Sequence, residues 1–210
     1  MEKNIHLKVF AVVDTNVLIS SVLSNGAPHD ILELIQNQNV IPVFDKRMLN
    51  EYYKVFHYDS FKGLDEDIIV NVLYDVISNG IMVNDIEHTK MVLKDKDDIP
   101  FFEVKENSKE FSTYLVTGNL KHYPKDAFII DSRMFLSIIG YLDRFVGNRF
   151  VYEENIKRII ETNVIKPKYS LGKEMLNDIF CIKEKLFINE EYFNKSINSD
   201  EPIKNKGKSR

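Results

Sequence analysis

Four groups of polar residues sit where an apolar pattern breaks off, and they share one chemical character. Asp14 and Asn16 follow directly on the apolar run Val9–Val13. Asp97 and Asp98, with Asp95 close by, stand in the segment KDKDDIPFF. Thr117, Gly118 and Asn119 follow the apolar stretch Tyr114–Val116. Glu51 lies in a stretch of helical spacing, turned about 60° from its apolar centre, where a carboxylate can lean over the rim of a core. Carboxylates brought together repel, and they stay ionised jointly only around a cation. Oxygen-only donors suit a hard ion such as Mg²⁺ or Mn²⁺. An ion of this kind activates water and stabilises the oxygens of an in-line phosphoryl displacement.

Each group alone has a plainer reading. Asp14 can cap the helix that follows it, and Asp97 or Asp98 can be an N-cap beside a solvated neighbour. Glu51 can be a surface acid, and Thr117-Gly118-Asn119 a turn. Only their convergence on one edge of a fold would make them a site.

The elements needed for that convergence are legible in the pattern. Val9–Val13 and Val40–Phe44 read as short buried strands, β-branched and bounded by turn-forming residues. Helical spacing runs over about 28–38, and Asp45 heads a helix to about Phe56 with the stripe Met48, Leu49, Tyr52 and Phe56. The clearest helix is 65–78, with apolar pairs every four residues, acids in its first turn and Asn79-Gly80 at its end. Ile81–Val83, Tyr114–Val116 and residues 128–130 read as further strands, with a short helix after KDKDDIPFFEV. Strands alternating with helices predict a three-layer α/β/α sandwich on a mostly parallel sheet. In such a sheet, ligands bind beyond the carboxyl ends of the strands, where these polar groups fall.

The alternation covers about residues 9–139, so a domain is expected over 1–139. A helical extension is expected over 140–195, from stripes at 156–164 and 171–187, and a disordered basic tail over 196–210. Of 210 residues, 44% are apolar and 29% charged, an ordinary globular composition. One cysteine, Cys181, allows no intrachain disulfide, so a reducing cytoplasm is the expected setting. Asp14 interrupts the N-terminal apolar run after five residues, and no stretch reaches the roughly 20 apolar residues of a membrane span. Neither export nor a membrane partner is expected. The net charge of −4 does not mark a nucleic-acid binder, yet it is unevenly spread. Residues 140–210 hold 14 Lys/Arg against 11 Asp/Glu, leaving 14 against 21 in residues 1–139.

Taken in order, VVDTNVLISSVL, EYYKVF, DKDDIPFF and YLVTGNLKHYP resemble a PIN domain, most nearly the bacterial toxin components of toxin–antitoxin systems related to VapC-type toxins. The resemblance spans about two-thirds of the chain. It implies a Mg²⁺- or Mn²⁺-dependent endoribonuclease with Asp14, Glu51 and Asp98 as catalytic metal ligands and Asp97 close to the third position. Asn16 would orient Asp14 or its water, and Thr117 and Asn119 would complete the site. It further implies RNA as substrate, an antitoxin protein as partner and a possible homodimer. Many PIN domains carry an acid where this chain has Asn119, so one firmly held ion is expected, with a second only when substrate phosphate adds a ligand.

Lys121 and Lys125 are candidate RNA-backbone contacts. His122 is a candidate phosphate contact or general acid, although its loop position favours a plain surface histidine. Two other readings compete. A HAD-type phosphatase also begins with a strand ending in Asp, but it needs a second Asp two residues on, where this chain has Asn16. A PIN-like module with a weakened site could instead bind RNA or a partner protein without cutting.

Overall fold

The computed structural model describes residues 8–145 and 168–173, without the side chains of 141–145. All of them belong to the first of the two units into which the chain divides, Met1–Lys173 and Glu174–Arg210. Strands β1 (Val9–Val13) and β2 (Val40–Phe44) are buried at every position. Their unbroken apolar runs are what a parallel strand covered on both faces requires. With β3 (Ile81–Val83), β4 (Tyr114–Val116), β5 (Ile129–Ile130) and β6 (Tyr169–Leu171) they form one six-stranded sheet in the order β5-β4-β1-β2-β3-β6. Every pairing is parallel except that of β3 with β6.

The chain steps outward from β1 to β2 to β3, then returns across the sheet to β4 and β5. Because parallel crossovers are right-handed, this reversal puts the returning helix on the opposite face from the earlier ones. The outward helices are α1 (Thr15–Leu23), α2 (Ala27–Gln36), α3 (Lys46–Phe56) and α4 (Glu66–Ser78). The returning helix is α5 (Ile99–Asn107), which packs on β1, β2 and β4, while α6 (Ser132–Phe145) packs on α2. Two helical layers therefore enclose a mostly parallel sheet, the sandwich expected from the sequence. No helix among the described residues is long and apolar enough to cross a membrane.

Local chemistry sets the element ends. Asp14 Oδ1 accepts from the Asn16 amide at the start of α1, Asp45 Oδ1 from Met48 at α3, and Asp65 from Asp67 at α4. Each satisfies a helix N–H that has no intrahelical acceptor. The helical stretch expected near 28–38 is the second of two helices, because Ser24-Asn25-Gly26 interrupts the chain before Ala27. Tyr52 of α3, 1% exposed, anchors that helix by donating its hydroxyl to the carbonyl of Val13 at the end of β1. Burying an aromatic of this size contributes about 1.5–3 kcal/mol.

One strand differs from the sequence expectation. Residues 169–171, expected within the helical extension with Leu171 opening its second stripe, form β6 alongside β3. Tyr169 is 1% exposed, donates to the Asn107 carbonyl at 2.5 Å, and packs its ring on Phe111 at 4.8 Å. Gly172 follows so closely that a Cβ there would lie 2.1 Å from the Ile77 carbonyl oxygen. Tertiary packing of Tyr169 and the open edge of β3 outweigh local helical spacing. The stripe at 156–164, the remainder of the second stripe and the basic tail lie outside the described residues.

Candidate metal centre

The sheet reverses direction between β1 and β4, and the two strands end side by side there. Val13 is in register with Val116, so Asp14 and Thr117 are adjacent at the carboxyl edge. The Asp14 amide donates to the Val116 carbonyl at 2.9 Å. A crevice at such a switch point is where doubly wound sheets bind ligands.

Asp14 is 3% exposed and both of its oxygens are held. Oδ1 accepts from the Asn16 amide at 3.1 Å and Oδ2 from Thr117 Oγ1 at 2.5 Å. Thr117, wholly buried, accepts in turn from the Asn119 amide at 2.9 Å. Each Asp14 oxygen keeps a further lone pair for a ligand. Asn16 and Asn119 thus act through their backbone N–H groups, while their own amide side chains make no hydrogen bond among the described residues. Asn16 is exposed and Asn119 half-buried.

Asp98 occupies the N-cap position of α5 but makes no cap hydrogen bond. Its carboxylate, 8% exposed as a residue, faces the 120–123 turn instead. His122 Nδ1 lies 2.8 Å from Oδ2, and the Tyr123 hydroxyl donates to Oδ1 at 3.2 Å. In the tautomer whose Nδ1 donates to this carboxylate, Nε2 is left outside the pair. A capping position that does not cap is informative: this aspartate is turned toward something other than its helix. Asp97, its exposed neighbour, donates its amide to Asp95 Oδ1 at 3.1 Å.

Glu51 projects half-buried from α3, with Lys54 Nζ 4.0 Å from its carboxylate. Burial pushes the Glu51 carboxyl up, Lys54 opposes that, and the charges of Asp97, Asp14 and Asp95 raise it again. Asp14 is raised as well, first by burial and then by Asp98, against the lowering effect of Thr117, the Asn16 amide and His122. These cross-influences join residues from β1, α3 and the start of α5 in one negatively charged region. Within it, ligand atoms of Asp95, Asp98 and His122 lie within 4.8 Å of one another. Asp14 and Glu51 stand outside that closest group and couple to it through charge.

The donor set fits a divalent cation. It is mainly carboxylate oxygen with one imidazole, and the carboxylates raise one another's pKa unless a positive charge intervenes. Among the residues named from the sequence, Asp14, Asp98, Asp97, Glu51 and Thr117 converge on this edge. His122, read foremost as a surface loop histidine, stands against Asp98. Lys121 and Lys125 are exposed, and Lys125 lines a cavity of about 430 Å³ with Leu120, Tyr123 and Ile129. Tyr123 was not anticipated; its only signal was an aromatic beside His122.

The chain matches the PIN domain family over residues 11–121, more than half its length, and it belongs to that family. PIN domains are of nuclease type and generally depend on divalent metal ions. The chain is also 31% identical over 122 residues to an uncharacterized protein of Methanocaldococcus jannaschii, covering 57% of this chain and 76% of that protein. No solved structure gives a significant match.

Proposed function

We propose that the protein is a Mg²⁺- or Mn²⁺-dependent endoribonuclease that hydrolyses RNA phosphodiester bonds, acting as the toxin of a toxin–antitoxin pair. The observation that supports it best is the pairing of buried Asp14 with Thr117 at the sheet reversal, within electrostatic range of Asp98. Asp14, Asp98 and Glu51 would hold the ion, with Asp97 and Asp95 adding negative charge at its exposed side. The ion would supply Lewis acidity, lowering the pKa of water and offsetting charge on the reacting phosphate.

The chain's own residues do the rest. Thr117 fixes the rotamer of Asp14 and, by donating to Oδ2, lowers its pKa against the larger effect of burial. Asp98 fixes the His122 ring through Nδ1, leaving Nε2 to donate to a phosphate oxygen when the ring carries both protons. Lys121 and Lys125 offset the repulsion between an acidic site and a polyanion. Asn119, neutral where many PIN domains carry an acid, supports one firmly held ion rather than two. An antitoxin protein and a second copy of the chain are the partners this reading implies, in the cytoplasm.

The test is incubation of labelled RNA pools with Mn²⁺ and wild-type protein, Asp14→Asn or Asp98→Asn. Cleavage by the wild type, lost in chelator and reduced at least a hundredfold in both variants, supports the proposal. RNA binding that persists in chelator, without cleavage in Mn²⁺, would instead favour a binding module.

A further inference from the structure

The two helices that carry Glu51 and Asp98 are tied together by a charged pair distant from the acids themselves. Arg47 lies one turn before Glu51 on α3, and its Nη1 donates to Glu103 Oε2 on α5 at 2.6 Å. Its Nε donates to Asp45 Oδ2 at 2.7 Å, and Asp45 is the carboxylate that caps α3. The Glu103 side chain is 2% exposed. Its other oxygen accepts from the Thr89 amide at 2.8 Å, and His88 Nδ1 lies 3.1 Å from Oε2. One buried carboxylate therefore gathers α3, α5 and the segment that runs on to Asp95 and Asp97.

Stability alone is a poor reason for this arrangement. The Glu103 carboxylate must be desolvated while the Arg47 side chain stays 37% exposed, so the pair recovers little beyond the cost of burying that one charge, and apolar side chains of similar volume often match such a contact. Here Arg47 Nη2 is also buried without a hydrogen-bond partner among the described residues, a further penalty. What the pair does provide is a fixed distance and angle, since the planar guanidinium is held at two points, Nε by Asp45 on the cap of α3 and Nη1 by Glu103 on α5. Burial pushes the Glu103 carboxyl up, but Arg47, the Thr89 amide and His88 leave it below its ordinary value, so it is charged at neutral pH.

We propose that Arg47 and Glu103 are positioning residues: their contact sets α3 against α5 so that Glu51 and Asp98 reach one divalent ion. This rests on the reading of Asp14, Glu51 and Asp98 as metal ligands.

The test is calorimetric titration of Mn²⁺ into wild type, Arg47→Lys, Glu103→Gln and the double variant Arg47→Met/Glu103→Leu, with urea unfolding of each. Asp14→Asn serves as control for the metal reading itself. The double variant replaces the ion pair with an apolar contact, so its stability should return to within about 1 kcal/mol of wild type. Its Mn²⁺ dissociation constant should nevertheless remain more than threefold weaker, and Arg47→Lys, which keeps charge without the fork, should also bind more weakly than wild type. Affinity within threefold of wild type in the folded double variant and in Arg47→Lys overturns the proposal, making the pair structural only. Wild type that takes up no Mn²⁺, or an Asp14→Asn variant that binds it equally, overturns the metal reading and with it this inference.

Discussion

The hydroxyl of Thr117 lies 2.5 Å from Oδ2 of Asp14, although the two residues are 103 positions apart in the chain. Only the juxtaposition of β4 with β1 brings them together. This bond lowers the Asp14 pKa against the larger effect of burial. Thr117→Val, nearly isosteric, should cost about 1–3 kcal/mol by leaving Asp14 and the Asn119 amide each short of a partner. It should also raise the pH needed for half-maximal Mn²⁺ binding, since Asp14 would hold its proton longer. Thr117→Ser should restore both, as read by urea unfolding and by Mn²⁺ titration across pH. An unchanged pH profile in Thr117→Val would mean that the bond does not tune the site.

Asp14 should make the metal-free fold less stable at neutral pH. Its pKa is raised on folding, so the folded state holds the proton more tightly than the unfolded chain does. Such a group contributes stability that is complete below the unfolded value, near 4, and lost as pH rises through the folded value. Glu103 and Asp126 have the opposite sign: both are lowered despite burial, by Arg47 and by Lys105 respectively, so their contribution fails as pH falls. Asp14→Asn removes the first contribution while its one side-chain oxygen keeps an acceptor for the Asn16 amide. Metal-free Asp14→Asn should therefore melt above wild type at pH 7, by roughly 2–4 °C for each kcal/mol gained at this chain length. The gap should widen as pH rises from the unfolded value, near 4, through the folded value, and stay constant above it. A gap that narrows over that range contradicts the assignment.

Much of the candidate site is legible because polar residues interrupt the apolar pattern. Asp14 breaks an apolar run and Thr117 follows another, so the parallel sheet needed only to align the two strand ends. The N-cap reading of Asp98 was correct in position and silent on function, since sequence does not say which way a side chain turns from a helix start. His122 and Asn16 show the same limit. A loop histidine looks like surface until a buried carboxylate meets it, and the bond from Asn16 comes from a backbone amide that any residue but proline could supply. The Arg47–Glu103 contact spans 56 positions and carries no local signature. Neither does β6, whose pairing partner β3 lies far away in the chain.

That pairing offers a test of the fold away from any metal. Gly172 packs against the backbone of α4 and accepts no Cβ without displacing the Ile77 carbonyl. Gly172→Ala should destabilise the domain by about 1–3 kcal/mol in urea unfolding. Lys173→Ala, one residue further on, should change stability by less than about 0.5 kcal/mol. Equal stability of Gly172→Ala and wild type would indicate that residues 169–171 do not hold the edge of β3 in solution.

Anomalous diffraction from crystals grown with Mn²⁺ tests most directly whether Asp14, Glu51 and Asp98 share one ion. A peak is expected at bonding distance from Asp14 and Asp98, with Glu51 directed at it, and no such peak in Asp14→Asn crystals grown alike. Wild-type crystals with no manganese peak among these carboxylates, or with manganese only at an unrelated surface, would contradict a shared ion.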